Sequence, residues 1–299
     1  MSATEFTDFV EVQSPTPRTI LWRRARKHMG VMIGGTIVIL VLLVAIFAPL
    51  IAPSGPYQQD LLHRLADPIW GPKGSWTHVF GTDALGRDVL SRLIYGTRVS
   101  IMVGFSAAII AGVIGSLLGM IGGYFGGRVD AVVLYITNVK LALPIVLAAL
   151  AIISIVGGSI TALILILGCL SWDRYALVVR SATQQLRRQE FIVAARTSGA
   201  SSARIILQEL LPNLANQIII VMTLEIAILI SIEAALSFLG LGVPPPTPSW
   251  GIMIAEGRSV MFFKPHLIII PGIAIFLLVM GINLLGDGIR DITTPEGRN

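Results

Sequence analysis

The 22 residues from Val31 to Ala52 contain no charged side chain. Wound as a helix they extend about 33 Å, enough to cross the roughly 30 Å hydrocarbon layer of a bilayer. A cleavable leader has a shorter apolar stretch and small residues at a cut site, whereas Ala48-Pro49-Leu50-Ile51-Ala52-Pro53 closes this one. It is therefore expected to remain as an anchor. Five more apolar stretches follow: Val99 to Tyr124, Ala131 to Val156, Ile160 to Val179, Leu214 to Phe238 and Leu267 to Leu285. The expected fold is all-α, with six transmembrane helices. Only Gly157, Gly158 and Ser159 separate the third and fourth, room for a tight turn between antiparallel neighbours. Trp172, just inside Asp173 and Arg174 near the end of the fourth, reads as an interface anchor.

Composition excludes the alternatives. Apolar residues make up 54% of the 299 and charged ones 13%, against about 25% charged in an ordinary soluble domain. More apolar surface is present than soluble cores can cover, so the lipid bilayer must take the excess. Cys169 is the single cysteine, which removes intramolecular disulfides and multi-cysteine metal sites. The net charge of +5 does not point to nucleic acid, because the basic residues flank apolar runs and form no nucleic-acid motif. They read as orientation signals. With the N-terminus in the cytoplasm, most of the 22 lysines and arginines fall inside, including Arg18, Arg23, Arg24, Arg26, Lys27, Arg128, Lys140, Arg174, Arg290 and Arg298. Both termini are then cytoplasmic.

The expected organisation is a cytoplasmic tail over 1–27, with residues 1 to about 17 unstructured, a first span over 28–53, an outer loop over 54–98, a five-helix core over 99–291 and a tail over 292–299. A cytoplasmic segment over 180–213 and a further outer loop from Gly240 to His266 interrupt the core.

Enzyme chemistry finds little purchase. His28, His63, His78 and His266 lie in separate regions, without ligand spacing to each other or to cysteine. The run Gly112, Gly115, Gly119, Gly122, Gly123, Gly126, Gly127 lacks the Lys-Ser/Thr of a phosphate loop. Its four-residue spacings instead favour close approach of two membrane helices. No ATP site is found, so ATP-driven work would need another subunit.

In the first outer loop, Thr82 or Asp83 can cap a helix reaching Tyr95. Its apolar face would hold Leu85, Val89, Leu93 and Ile94, with Arg87, Asp88, Ser91 and Arg92 opposite, as in a surface-lying helix. The segment from Arg187 to Leu211 reads as a helix-turn-helix stub. Gly199 supplies the bend, Ser201 or Ser202 caps the second arm, and Pro212 marks entry to the fifth span. A stub of this kind could enter a groove on a partner or lie on lipid headgroups. Glu225 and Glu233 lie within the fifth span, where a carboxylate costs about 2.5 to 3.5 kcal/mol at mid-bilayer. They must face protein or water, as a structural pairing, a solute contact or a proton relay. The stiff run Pro244-Pro245-Pro246-Thr247-Pro248 is expected in polyproline geometry, as a brace of the outer side.

Several motifs occur in order: Phe80-Gly81-Thr82-Asp83 through Gly86-Arg87-Asp88-Val89-Leu90-Ser91-Arg92, Gly122-Gly123-Tyr124-Phe125-Gly126-Gly127, and Ala234-Ala235-Leu236-Ser237-Phe238-Leu239-Gly240-Leu241-Gly242. Pro245-Pro246-Thr247-Pro248-Ser249-Trp250-Gly251 and Asn283-Leu284-Leu285-Gly286-Asp287-Gly288 complete the set. Through them, over roughly Phe80 to Asp291, the chain resembles the permease subunits of dipeptide, oligopeptide and nickel ABC importers, of the type with a long first outer loop.

The resemblance implies a type I ABC importer transmembrane domain in the bacterial inner membrane. It also implies a second homologous permease, two ATP-binding subunits carrying ATP and Mg, and an external solute-binding protein. No cofactor is expected in this chain. The stub resembles the family's ATPase-coupling motif, which assigns coupling to Ala194, Ala195, Arg196, Gly199, Ala200, Leu211 and Pro212. Val193 stands where that motif carries an acidic residue and Glu209 where isoleucine is usual. Lys140 is unusual for the family and could neutralise Glu225; with Glu233 these are the candidate pathway residues. Asp83, Arg87, Asp88, Pro246 and Trp250 are the candidates for the outer gate or binding-protein contact. The rival reading is a proton-coupled carrier using the two glutamates.

Overall fold

Five helices of the computed structural model, which describes residues 23–293, are long and apolar enough to cross a membrane: Met29–Ile46, Val89–Phe125, Ile160–Leu186, Ser202–Phe238 and His266–Thr293. A sixth apolar segment is bent by 81° at its break between Gly127–Leu141 and Ile145–Val156, the geometry of a broken span or of a re-entrant loop. The expected tail over 1 to about 17, Arg18 and Arg298 lie outside the described residues.

The helices are α1 Met29–Ile46, α2 Val89–Phe125, α3 Gly127–Leu141, α4 Ile145–Val156, α5 Ile160–Leu170 and α6 Asp173–Leu186. After them come α7 Glu190–Thr197, α8 Leu211–Phe238, α9 Trp250–Gly257 and α10 His266–Thr293. Two spans expected to be continuous are interrupted. The third breaks at Ala142–Pro144, because proline has no N–H to donate and pushes its predecessor out of helical geometry. The fourth breaks at Ser171 and Trp172. Trp172 thus lies at a break inside the apolar helix that runs from Ile160 to Leu186, not at its end. The turn between α4 and α5 is as expected, with Gly157 at φ +90° and Ser159 accepting from the Ala162 amide.

At 37 residues, about 55 Å, α2 is the central post, and its most extensive contact is with α6. The four-residue glycine spacing makes that contact possible. A Cβ on Gly115 would stand 2.6 Å from Tyr175 Cβ, and one on Gly119 2.7 Å from the Ala176 carbonyl oxygen. The Tyr175 hydroxyl, buried there, donates to the Ala108 carbonyl (3.1 Å). This is helix packing by small residues, not phosphate binding.

His28, just before α1, pairs with Asp291 near the end of α10 (3.1 Å), whereas Lys264, just before α10, pairs with Asp67. The long loop over 54–88 and the described chain ends therefore occupy opposite ends of α10.

Candidate functional site

Three polar places stand apart from the apolar bundle. The first is a knob at the end of the bundle that also carries the described chain ends. Here α7 ends in Gly199 at φ +81°, with the Ala200 amide donating back to the Ala195 carbonyl (3.1 Å), the reversal a left-handed glycine permits. Ser201 then caps the second arm by accepting from the Arg204 amide. That arm does not stop at Pro212. From Ser202 it runs unbroken into α8, with one looser turn of i-to-i+5 bonding over Ile205–Leu210. Ile192, Ile205 and Leu210 are fully buried against Met120, Tyr124 and Val179, which seats the knob on α2 and α6. Arg196 lies over the Tyr124 ring, 5.5 Å from its centroid, and Arg187 donates to the Tyr124 carbonyl (2.8 Å). Ala194, Arg196, Gly199 and Pro212 are exposed, while Ala195, Ala200 and Leu211 are half-buried. Phe191 and Val193 add an exposed apolar crown. This surface can be gripped by a partner.

The second place lies halfway along α8. Glu225, 3% exposed, accepts from Arg174 Nη1 (3.1 Å), and beside it Lys140 pairs with Asp173. Lys140 therefore does not neutralise Glu225 directly, as expected from sequence; two adjacent pairs share the work. Lys140 and Arg174 are also removed from the set of end-flanking orientation signals. The four side chains, with Pro144 and Ser171 at the two helix breaks, line a cavity of about 250 Å³. Arg174 is the surprise. It falls in the first turn of α6, where its charge had suggested the end of a span, and its side chain is 55% exposed.

Glu233 belongs elsewhere. Fully buried, its Oε1 accepts from Ser237 (2.8 Å) and Ser249 (3.0 Å), while Ser100 accepts from the Trp250 amide (3.3 Å). These bonds tie α8, α9 and α2 together, a structural role.

The third place is at the other end. No surface helix covers 81–95. Residues 82–88 form a tight reversal, closed by a lone bridge between Thr82 and Asp88 and by Asp83 Oδ1 accepting from the Leu85 and Arg87 amides. Asp88 caps α2 by accepting from the Ser91 amide (2.7 Å) and bonds His78 Nδ1 (3.0 Å). The expected polar outer face is buried instead. Asp83 Oδ2 accepts from Arg87 Nε and Arg92 Nη1 (2.6 Å each), and Glu256 of α9 accepts from Arg87 Nη2 (2.9 Å) and from Arg92. Glu256, unremarked in the sequence, completes a square of alternating charge; an acidic residue in the apolar run after Trp250 was its only signal.

Asp83, Arg87, Asp88 and Trp250 are all buried and hold the loop, α2 and α9 together; the Trp250 indole N–H donates to the Leu93 carbonyl (3.0 Å). Pro246 alone of the outer candidates is exposed, and the Pro245–Pro246 bond is cis. Nearby, the hydrogen bond from Lys264 holds the Asp67 carboxyl below the usual carboxylate range. Among the described residues no three His, Cys, Asp or Glu side chains gather as metal ligands.

The profile described as "Binding-protein-dependent transport system inner membrane component" matches residues 115–298, and that of the "N-terminal TM domain of oligopeptide transport permease C" matches residues 16–68. The glutathione transport system permease protein GsiD of Escherichia coli O157:H7 is 41% identical over 287 residues, 95% of this chain and 92% of that protein. GsiD of Shigella dysenteriae serotype 1 is 40% identical over the same shares. Among solved structures, an inward-facing form of the MetNI methionine ABC transporter aligns with TM-score 0.56 and 20% identity, over 68% of this chain and 97% of that one. That likeness is one of fold.

Proposed function

The chain belongs to the inner-membrane permeases of binding-protein-dependent ABC importers, and from that premise we propose how it works. It is a multi-pass subunit of the bacterial inner membrane and not itself an ATPase. It pairs with a second homologous permease to frame the path of a di- or oligopeptide-class solute, delivered by an external binding protein. Two ATPase subunits carry the ATP and Mg, and one of them receives the knob over 187–212. The termini and knob face the cytoplasm, in keeping with the basic residues Arg23, Arg24, Arg26, Lys27, Arg187, Arg188, Arg204 and Arg290 at that end.

One observation carries the mechanism. The helix that begins in the knob at Ser202 continues without a stop to Phe238, beside the loop that holds the proline run. A rigid rod about 55 Å long converts displacement at one end into displacement at the other. ATPase closure thus moves the knob and rocks α8 against the post α2, alternating inward-open and outward-open states. The peptide class is supported by the relatives, which include permeases named for glutathione transport and a domain named for oligopeptide transport. Both intramembrane glutamates are engaged in ion pairs or hydrogen bonds, which favours this reading over a proton-coupled carrier.

The test is reconstitution. Vesicles holding this chain with its partner permease, ATPases and binding protein should accumulate solute with ATP and lose uptake when ATP is removed. Uptake abolished by an uncoupler at constant ATP would reject the reading.

A further inference from the structure

A guanidinium that is 55% exposed and sits beside the midpoint of a spanning helix cannot face hydrocarbon, because a charged side chain there requires water, a partner charge or protein. The face of the chain carrying Arg174 therefore meets water or another protein surface rather than lipid, as a wall of the path between two permeases would. On that face, three separate segments bring together two cations and two anions: Lys140 in the last turn of α3, Asp173 and Arg174 in the first turn of α6, and Glu225 on α8. The anions are buried, at 5% and 3% exposure; the exposed member is a cation. A cavity of about 250 Å³ opens on all four. The breaks at Ala142–Pro144 and Ser171–Trp172 border it, so the ends of α3, α4, α5 and α6 bring backbone polar groups without intrahelical partners to the same place.

Resting on the permease reading above, we propose that this quartet is a solute-contact station for zwitterions, the peptide chain with free amino and carboxyl ends. Arg174 exchanges Glu225 for the solute carboxylate, and the released Glu225 receives the solute ammonium. Net charge in the site stays at zero before, during and after passage, so neither the solute nor the protein leaves an unpaired charge in a poorly solvated place. A solute bearing only one of the two charges strands a partner and passes slowly.

The assembled importer in vesicles tests this with two probes, trialanine and trialanine C-terminal amide. Uptake is counted per ATP hydrolysed, so that differences in delivery by the binding protein cancel. Wild-type importer is expected to favour the free acid about tenfold, the weight of one charge-assisted hydrogen bond. Arg174→Gln should bring that ratio close to one while keeping the ATPase stimulated by binding protein, and Arg174→Lys should restore part of it. If Arg174→Gln fails to assemble, Glu225→Gln serves: it frees the guanidinium and should raise the preference for the acid. An unchanged ratio in either variant, or equal handling of both probes by wild type, overturns the station and leaves the permease reading intact. Wild-type vesicles that hydrolyse ATP and accumulate neither probe overturn the peptide class of solute, and the station with it.

Discussion

Ser249 donates its hydroxyl to Glu233 across 3.0 Å, so the residue that caps α9 is fastened to the α8 rod in its last turns, five residues before Phe238. The same Ser249 oxygen accepts from the Ile252 amide (3.2 Å), and Glu233 also takes the Ser237 hydroxyl. A carboxylate that organises two hydroxyls and a helix start inside the bundle acts as a joint between the rod and the outer loop.

Glu233→Ala should therefore cost about 1 to 3 kcal/mol, the penalty of leaving buried hydroxyls unmatched, read as a lowered melting temperature in detergent. Glu233→Gln keeps an acceptor and should cost less, with ATP-driven uptake largely kept. Loss of uptake in the Gln variant with unchanged melting would instead make the residue a proton carrier.

The glycines of α2 give a second prediction. Gly115→Val places side-chain atoms where Tyr175 Cβ already stands 2.6 Å from an added Cβ, and overpacking of this kind costs about 1 to 3 kcal/mol. The α2–α6 contact should loosen and the yield of folded protein fall. Gly35→Ala, whose Cβ would find its nearest neighbour at 3.9 Å, is the matched control and should behave as wild type. Equal yields from the two variants would contradict the packing role.

The outer proline run gives a third. Pro246 is exposed while Val243 before the run and Pro248 at its end are buried, and the Val243 amide donates to Ser237 (3.2 Å), so the run is a strap fastened at both ends. Replacing Pro244–Pro246 with Gly-Ser-Gly should leave the Glu233–Ser249 joint in place and slow transport severalfold through lost stiffness. An unaffected rate would make the run a spacer.

How much of this was legible in the sequence depended on the range of the interactions. The Pro144 break announces itself in one residue, although apolar length alone concealed it inside a 26-residue run. The glycine spacing of α2 and the bend at Gly199 are likewise local, and both are found where the spacing puts them. Arg92 shows the limit. It reads with Arg87, Asp88 and Ser91 as a polar stripe, but its fate is decided by Glu256, 164 positions away, and a polar stripe looks the same whether water or a distant carboxylate covers it. Arg174 misled for a related reason: a charge near the end of a span reads as an orientation signal, and its partner Glu225 lies 51 positions on, outside its own segment.

The knob offers the sharpest mechanical test. A Cβ at Gly199 would meet nothing within 4 Å, but its φ of +81° belongs to the left-handed region. Asp and Asn tolerate that region better than most side chains, so Gly199→Asp and Gly199→Asn should both fold and insert, with similar small losses of stability. They differ in charge. On a knob whose exposed neighbours include Arg196, Phe191 and Val193, an added carboxylate changes the electrostatic match to any groove that receives it, whereas the amide does not. Uptake per ATP hydrolysed should drop at least severalfold in Gly199→Asp and stay near wild type in Gly199→Asn, with equal amounts of both in the membrane. Wild-type uptake in the Asp variant would show that the knob's tip is not gripped. Equal loss in both would place the defect in the bend, leaving the rod as the only moving part that the knob supplies.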